Sequence, residues 1–162
     1  AVGRHPPTAV AIMDRIIAAT EKDPECGAFT SLDDPMTDHT TADAITLSAR
    51  RIAEVLDCRL AVAYTKTGST AKRLSRDRPH CSILAATPDA AVARRLALYW
   101  GIAPVITDDI SHFHEMLDKA DALAVRNGAQ DGDRIIIIAG YPFGRRGKTN
   151  TLKISRIGAK GE

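Results

Sequence analysis

Residues 60–79, which read LAVAYTKTGSTAKRLSRDRP, decide the fold of this chain. The stretch opens with the short apolar run Leu60–Tyr64, in which Val62 and Tyr64 favour a β-strand. It continues through Thr-Lys-Thr-Gly-Ser-Thr into a basic segment that is compatible with a helix. The pattern therefore predicts a strand, a turn and a helix in direct succession.

The turn in this stretch has the composition of an anion-binding site. Hydroxyl groups come from Thr65, Thr67, Ser69 and Thr70, and Gly68 allows backbone N–H groups to approach a ligand closely. The helix that begins here would point the positive end of its dipole at the turn. A simpler interpretation is that the hydroxyls only cap the helix and the glycine only makes the turn. The turn residues by themselves leave both interpretations open.

The length and composition are those of an ordinary globular domain. The chain has 162 residues, of which 44% are hydrophobic, 26% charged and 4% aromatic. A domain of this size buries roughly two thirds of its unfolded surface, so one compact domain is expected. The composition favours neither a disordered chain nor an aromatic surface for stacking nucleic-acid bases. The net charge of +2 is too small to indicate a nucleic-acid partner, so any anion preference must come from local clusters.

The cysteines and the hydropathy pattern favour a cytoplasmic protein. Cys26, Cys58 and Cys81 are odd in number and lack metal-ligand spacing, which argues against a disulfide framework and a zinc site. No apolar run approaches the ~18 residues of a membrane span. The first residues lack the pattern of a signal peptide. We expect a reducing, cytoplasmic location and no membrane partner.

Strand and helix patterns alternate along the chain. Helical spacing predicts helices over residues 8–20, from Thr40-Thr41 to about residue 56, from residue 69, from Thr87-Pro88-Asp89 to Gly101, and from Asp108 to Asn127-Gly128. Apolar runs predict strands over residues 60–64, 81–86, 102–107, 134–139 and 149–157. The four isoleucines of the fourth run indicate a strand buried on both faces, and the alternation in the last indicates an edge strand.

This alternation predicts an α/β fold in three layers, with helices on both faces of a mostly parallel sheet. Ligands in such folds bind beyond the carboxyl ends of the strands. Residues 65–70 and residues 140–148 both follow predicted strands directly. We therefore expect these two segments to lie at the same edge of the sheet.

The second segment is similar to a nucleotide-binding P-loop, because Gly-Lys-Thr follows a buried strand. The match to a P-loop fails on two counts, because Pro142 stands where a P-loop needs glycine and strand periodicity follows instead of a helix. A glycine-flanked loop with Arg145, Arg146 and Lys148 remains, which could hold a phosphate through its cationic groups. A basic hairpin that is simply solvated is the alternative.

No residue pattern indicates catalysis or metal binding. His112 and His114 are two apart on a predicted helix, so their side chains diverge. Asp108 and Asp109 stand at a predicted helix start, where acids favour the dipole without a catalytic role. No Ser-His-Asp order and no Cys-His pairing is present. We therefore expect no catalytic residue and no metal site.

Several long segments, in order, resemble the C-terminal domain of pyruvate kinase across nearly the whole chain. They are TKTGSTAKRLSRDRP, SILAATPD, RRLALYWGIAPV and GDRIIIIAGYPFGRRGKTNTLKI. The start, AVGRHPPTAVAIMDRIIAATE, is similar to the last helix of that family's catalytic (β/α)8 barrel. The resemblance implies a barrel remnant at residues 1–21, a linker at 22–38 and the C-terminal α/β domain at 39–162. It also implies a five-stranded sheet whose last strand is antiparallel.

The resemblance implies a parent activity that this chain should lack alone. Pyruvate kinases transfer a phosphoryl group from phosphoenolpyruvate to ADP, in glycolysis, with Mg²⁺ and usually K⁺ at the mouth of the barrel. The barrel motifs that supply those groups are absent from these 162 residues. No catalytic residue and no cofactor of its own are therefore expected here.

The same resemblance implies a regulatory site for a sugar phosphate or a nucleotide monophosphate. In many members the turn after the first strand holds a phosphate, which here corresponds to Thr65, Lys66, Thr67, Gly68, Ser69 and Thr70. The effector loop before the last strand corresponds to Gly144, Arg145, Arg146, Gly147 and Lys148. Ser69 stands where some members activated by sugar bisphosphates carry arginine, which leaves the identity of the effector open.

The resemblance finally implies two protein partners. C-terminal domains of the family pair across a two-fold axis within tetramers, so a homodimer that covers the edge strand is expected. The apolar face of the first helix would contact the catalytic barrel. The alternative function is an assembly module that keeps the fold and the dimer contact but binds no effector.

Overall fold

The computed structural model describes residues 2–23, 39–144 and 148–158. The chain forms two compact units, Ala1–Met36 and Thr37–Glu162. Residues 24–38 of the predicted linker lie outside the described residues, so the linker stays a prediction. Within the described ranges, no helix is long and apolar enough to cross a membrane.

The first unit contains helix α1, Pro6–Glu21. Pro6 and Pro7 occupy its first turn, so the prediction of a helix that begins past the prolines was wrong by two residues. Proline fits this position because the first N–H groups of a helix have no partner within it. None of the residues of α1 is buried. Its apolar side chains, including Val10, Met13, Ile16 and Ile17, are exposed.

The second unit contains four helices and five strands among its described residues. In chain order they are α2 Thr41–Leu56, β1 Leu60–Tyr64, α3 Ser69–Asp77, β2 Ser82–Thr87, α4 Ala90–Leu96, β3 Ile102–Ile106, α5 Phe113–Arg126, β4 Arg134–Ala139 and β5 Thr151–Arg156.

The strands form one sheet in the order β3-β2-β1-β4-β5. Strand β1 lies at the centre and pairs in parallel with β2 and β4, so that Ala63 lies opposite Ala85 on one side and Ile138 on the other. Strand β5 pairs antiparallel with β4 and forms an edge. The prediction of a five-stranded, mostly parallel sheet with an antiparallel edge strand is confirmed.

The core lies on both faces of the sheet. Helices α2, α3 and α4 cover one face, where Leu74 packs among small strand residues such as Ala61 and Ala63. Helix α5 covers the other face, where Met116 packs near Val62. The four isoleucines of β4 are fully buried and divide evenly between the faces: Ile136 and Ile138 on the first, Ile135 and Ile137 on the second.

Both predicted boundaries of helix α4 were wrong. Helix α4 begins after Asp89, whose carboxylate accepts hydrogen bonds from the N–H groups of Ala91 (2.7 Å) and Val92 (3.2 Å), so Asp89 rather than Thr87 is the cap. It also ends at Leu96, before Gly101.

Helix α5 begins at Phe113, not at Asp108. The N–H and hydroxyl of Ser111 donate to the Glu115 carboxylate at 2.9 and 3.3 Å, which fixes the first turn of α5 after residue 111. Phe113 is 40% exposed, so it does not belong to the core stripe predicted for this helix. Asp108 and Asp109 therefore lie in the connection between β3 and α5.

Candidate functional site

A cavity of about 50 Å³ opens at the carboxyl ends of the central strands. The chain leaves β1 toward β2 on one side and leaves β4 toward β5 on the other, so the cavity lies where the connections diverge. Ligands of open α/β sheets bind at such switch points. One water needs about 10–15 Å³ on this measure, so the volume suits a group the size of a phosphate.

The turn after β1 is fixed from within. The N–H of Thr65 donates to the carbonyl of Ala86 (3.0 Å), which extends the pairing of β1 with β2 by one residue. The buried hydroxyl of Thr65 accepts a hydrogen bond from the N–H of Gly68 (2.9 Å). Thr65 thus holds the turn in place and also lines the cavity.

Gly68 is the residue that allows α3 to begin at this point. Its φ is +88°, in the left-handed region that favours glycine. A Cβ at this position would lie 3.2 Å from Cδ2 of Leu96, closer than an ordinary contact. The sequence therefore needs glycine here for both the backbone conformation and the close packing of α4.

The start of α3 leaves backbone N–H groups available to a ligand. Gly68 provides no side-chain cap, and the first N–H groups of a helix have no acceptor within it. Ser69 and Thr70, the first two residues of α3, line the cavity. The hydroxyl of Thr67 donates to that of Ser69 at 3.2 Å. Together with the helix dipole, this arrangement suits an anion.

The connection from β4 to β5 closes the opposite side. A Cβ on Gly140 would lie 1.7 Å from the carbonyl oxygen of Lys148, so only glycine allows this approach. The side chain of Asn150 accepts from the N–H of Tyr141 (2.7 Å) and donates to its carbonyl (2.6 Å), which joins the two ends of the connection.

A buried contact ties this connection to α3. The hydroxyls of Thr70 and Thr149 lie 2.7 Å apart, and both residues are 4% exposed. Because Thr70 also lines the cavity, a movement of the segment at Lys148 and Thr149 would reach the start of α3 directly.

An acidic segment forms a third wall of the cavity. Asp108 and Asp109 follow β3 and line the cavity, and the ammonium group of Lys66 forms an ion pair with the Asp109 carboxylate. The other oxygen of that carboxylate accepts from the N–H of Ile110 (3.1 Å). Sequence reasoning missed these two residues because it placed them at the start of a helix. Their position after a strand was the signal that could have found them.

Tyr64 lines the cavity without offering a reactive group. Its hydroxyl donates to the carbonyl of Met116 (3.0 Å) inside the core. Burial, together with the nearby Asp121 and Glu115, raises the pKa of the Tyr64 phenol above its ordinary value of 10.0. The phenol therefore remains neutral near pH 7 and has a packing role.

A second and wider cavity, of about 390 Å³, lies beside the start of α2 and is lined by Thr40, Arg73 and Lys148 among others. The guanidinium of Arg73 donates to the Asp43 carboxylate (3.2 Å), so its charge is already paired. Because the charge of Arg73 is already paired with Asp43, this cavity is a weaker candidate for binding an anion than the cavity at the strand ends.

The sequence model of the family described as "Pyruvate kinase, alpha/beta domain" matches residues 43–155. The chain belongs to this family. The earlier resemblance to the C-terminal domain of pyruvate kinase is thereby confirmed.

Relatives of this pyruvate kinase domain support the same assignment. A pyruvate kinase from Methylorubrum extorquens is 40% identical over 158 residues, which cover 97% of this chain and 33% of that protein. One from Staphylococcus epidermidis is 36% identical over 166 residues, covering 100% and 28%. The crystal structure of a pyruvate kinase from Cryptosporidium parvum matches with a TM-score of 0.67 and 31% identity, over 76% of this chain and 24% of that one. The chain spans about a third of the length of the curated relatives.

Most of the predicted site residues of this pyruvate kinase domain lie around one cavity. The cavity is lined by Thr65, Lys66, Thr67, Ser69, Thr70, Gly144 and Lys148, and Gly68 forms the turn beside it. Arg145, Arg146 and Gly147 lie outside the described residues. Their role in ligand binding, like that of the whole set, stays a prediction.

Proposed function

We propose that this chain is the regulatory and oligomerisation domain of a pyruvate kinase and that it binds a phosphorylated effector at the start of α3. One observation carries the proposal. The hydroxyl-rich turn after β1, the start of α3 and the glycine-flanked connection after β4 line a single cavity at the switch point of the sheet. The family membership of the chain supports it.

The chemistry of the cavity suits the phosphate group of a sugar phosphate or a nucleotide monophosphate. Phosphate oxygens would accept hydrogen bonds from the N–H groups of Ser69 and Thr70 and from the Ser69 hydroxyl, which in turn accepts from the Thr67 hydroxyl. Lys148, at the end of the connection after β4, would add a positive charge. The remainder of the ligand would extend toward Asp108 and Asp109.

The reaction of a pyruvate kinase would take place in a separate catalytic domain. We propose that the exposed apolar face of α1, formed by Val10, Met13, Ile16 and Ile17, contacts that domain in a longer protein. Mg²⁺ and K⁺ would serve the transfer of phosphate from phosphoenolpyruvate to ADP there. Within residues 2–23, 39–144 and 148–158, no three His, Cys, Asp or Glu side chains are placed to hold a metal.

Self-association through the sheet edge is the second part of the proposal. Among the described residues, strand β5 pairs with β4 on one side only, and its side chains are half-buried or exposed. An open edge with Ile154 37% exposed is suited to pairing with the same edge of a second copy. Sedimentation velocity should show a homodimer, and a monomer at all concentrations would contradict this part. A dimer without effector binding would leave the domain as an assembly module.

A thermal-shift titration tests the effector site. Ribose 5-phosphate, glucose 6-phosphate, AMP and inorganic phosphate are added to the chain and to a variant with Thr67→Ala and Ser69→Ala. At about 100 times its dissociation constant, a true ligand should stabilise the chain by about 2.7 kcal/mol, and the double variant should lose most of this gain. Ser82→Ala is the matched control, because Ser82 is an exposed hydroxyl residue at the opposite end of the sheet. Saturable stabilisation by none of the four compounds would overturn the proposal.

A further inference from the structure

The described walls of the cavity carry charges of both signs in an uneven arrangement. The turn after β1 contributes Lys66, and the connection after β4 contributes Lys148. The segment after β3 contributes two carboxylates, Asp108 and Asp109. Lys66 is paired with Asp109, which leaves Lys148 as the unpaired cation and Asp108 as the unpaired anion among these four described groups.

The two ends of a bound ligand would meet different groups, hydrogen-bond donors at one end and carboxylates at the other. A phosphate at the start of α3 meets N–H groups and hydroxyls, and it occupies a cavity that suits one such group. A second phosphate on the same ligand would extend toward Asp108 and Asp109, where its negative charge would be repelled by the carboxylates. Hydroxyl groups at the same place would instead donate hydrogen bonds to these carboxylates.

We infer that Asp108 and Asp109 make this site selective for a ligand with one phosphate and several free hydroxyl groups, and that they exclude a bisphosphate. The inference rests on the proposed phosphate site at the start of α3. It adds the class of ligand and names the residues that discriminate by repelling the wrong one.

The two aspartates differ in how they act. Asp108 acts on the ligand alone, because its carboxylate is exposed at the cavity. Asp109 also holds Lys66, so that Asp109→Asn removes a negative charge and frees a lysine for phosphate. Asp109→Asn should therefore tighten the binding of every phosphate, inorganic phosphate included. Asp108→Asn should mainly tighten the binding of a bisphosphate.

Calorimetric titration with a matched pair of ligands tests the inference. Fructose 6-phosphate and fructose 1,6-bisphosphate differ by one phosphate, and inorganic phosphate serves as the minimal probe. The chain should bind the monophosphate at least about tenfold more tightly than the bisphosphate, and Asp108→Asn with Asp109→Asn should reduce this ratio at least about tenfold. Asp118→Asn is the control, because Asp118 is an exposed acid on α5 that does not line the cavity.

The outcomes separate this inference from the proposed function. A bisphosphate that binds the unaltered chain as tightly as the monophosphate, or a ratio that the double variant leaves unchanged, overturns the selectivity while phosphate binding stands. Failure of all three compounds to bind overturns both. Side chains at both positions are accessible to solvent, so thermal unfolding of the variants without ligand should match that of the unaltered chain and exclude misfolding as a cause.

Discussion

Replacement of Asp43 should weaken the contact between α2 and α3 more than its position near the start of a helix suggests. The side chain is 1% exposed. One carboxylate oxygen accepts from the hydroxyl (2.7 Å) and the N–H (3.2 Å) of Thr40, and Thr40 in turn caps α2. The other accepts from Arg76 (2.9 Å) and Arg73 (3.2 Å) on α3. A single buried carboxylate thus joins the first turn of α2 to the helix that begins at the proposed site.

The magnitude follows from these four contacts. Loss of the reciprocal cap with Thr40 costs about 1 kcal/mol. Hydrogen bonds to charged groups contribute about 1.5–3 kcal/mol each, but the Arg73 and Arg76 side chains are 28% and 30% exposed, so water recovers part of this. For Asp43→Ala we expect a loss of about 3 kcal/mol in the free energy of unfolding, or roughly 6–12 °C in Tm. Asp43→Asn keeps an acceptor oxygen and should lose about half as much.

The pH dependence supplies an independent check. The Thr40 hydroxyl and the Arg76 guanidinium outweigh burial and hold the pKa of Asp43 far below its ordinary value of 3.8. The stabilisation is therefore complete above that value. As the pH falls below it, the unfolded chain binds a proton while the folded chain does not, and stability is lost. The advantage of the unaltered chain over the Asp43→Asn variant should accordingly shrink between about pH 5 and about pH 3.

Urea unfolding followed by circular dichroism measures both effects. The exposed residue Asp118 supplies the control, because Asp118→Ala should change stability by no more than about 0.5 kcal/mol. A loss below about 1 kcal/mol for Asp43→Ala would refute the reasoning, since the four contacts would then contribute no more than one ordinary cap. A difference from Asp43→Asn that stays constant with pH would refute the role of the charge.

Three further predictions concern the cavity and the core. Gly68→Ala should cost about 1–2 kcal/mol, because φ is +88° and the added Cβ meets Leu96; unchanged stability in urea would contradict this. Thr70→Val should cost about 1–2 kcal/mol, because it leaves the buried Thr149 hydroxyl without its partner at 2.7 Å; an equally stable variant would speak against that contact. Burial raises the pKa of the Cys81 thiol to about 12, so at about pH 8 iodoacetamide should label it on the order of 100-fold more slowly in the folded than in the unfolded chain; comparable rates by peptide mass spectrometry would show that the thiol is accessible.

The sheet could be predicted from the sequence because each strand has a recognisable pattern within its own short segment. The apolar runs at β1 and β4 are short, bounded by turn residues and, in β4, composed of four consecutive isoleucines. Alternation with helical spacing then determines a mostly parallel sheet, and the alternating pattern near the end marks the edge strand. The turn at Gly68 could also be predicted, because a glycine among hydroxyl residues directly after a strand is typical of a turn.

The remaining features depend on contacts between distant segments. Asp43 forms hydrogen bonds with Arg73 and Arg76, which lie 30 and 33 residues later in the chain. No local sequence pattern predicts such a pairing. Asp108 and Asp109 were assigned to a helix because acids commonly begin one. The helix instead begins beyond Ser111, whose N–H donates a hydrogen bond to the Glu115 carboxylate. The two aspartates therefore precede the helix and line the cavity.

Amide chemical shifts, followed by NMR during a titration with ribose 5-phosphate, test the proposed effector site most directly. They report which N–H groups meet the ligand, independently of any change in stability. The amides of Gly68, Ser69 and Thr70 should shift and saturate together, while those of Thr41 and Ala42, at the wider cavity, should not. Shifts that do not saturate at the start of α3, or that saturate at Thr41 and Ala42 instead, would contradict phosphate binding at the carboxyl ends of β1 and β4.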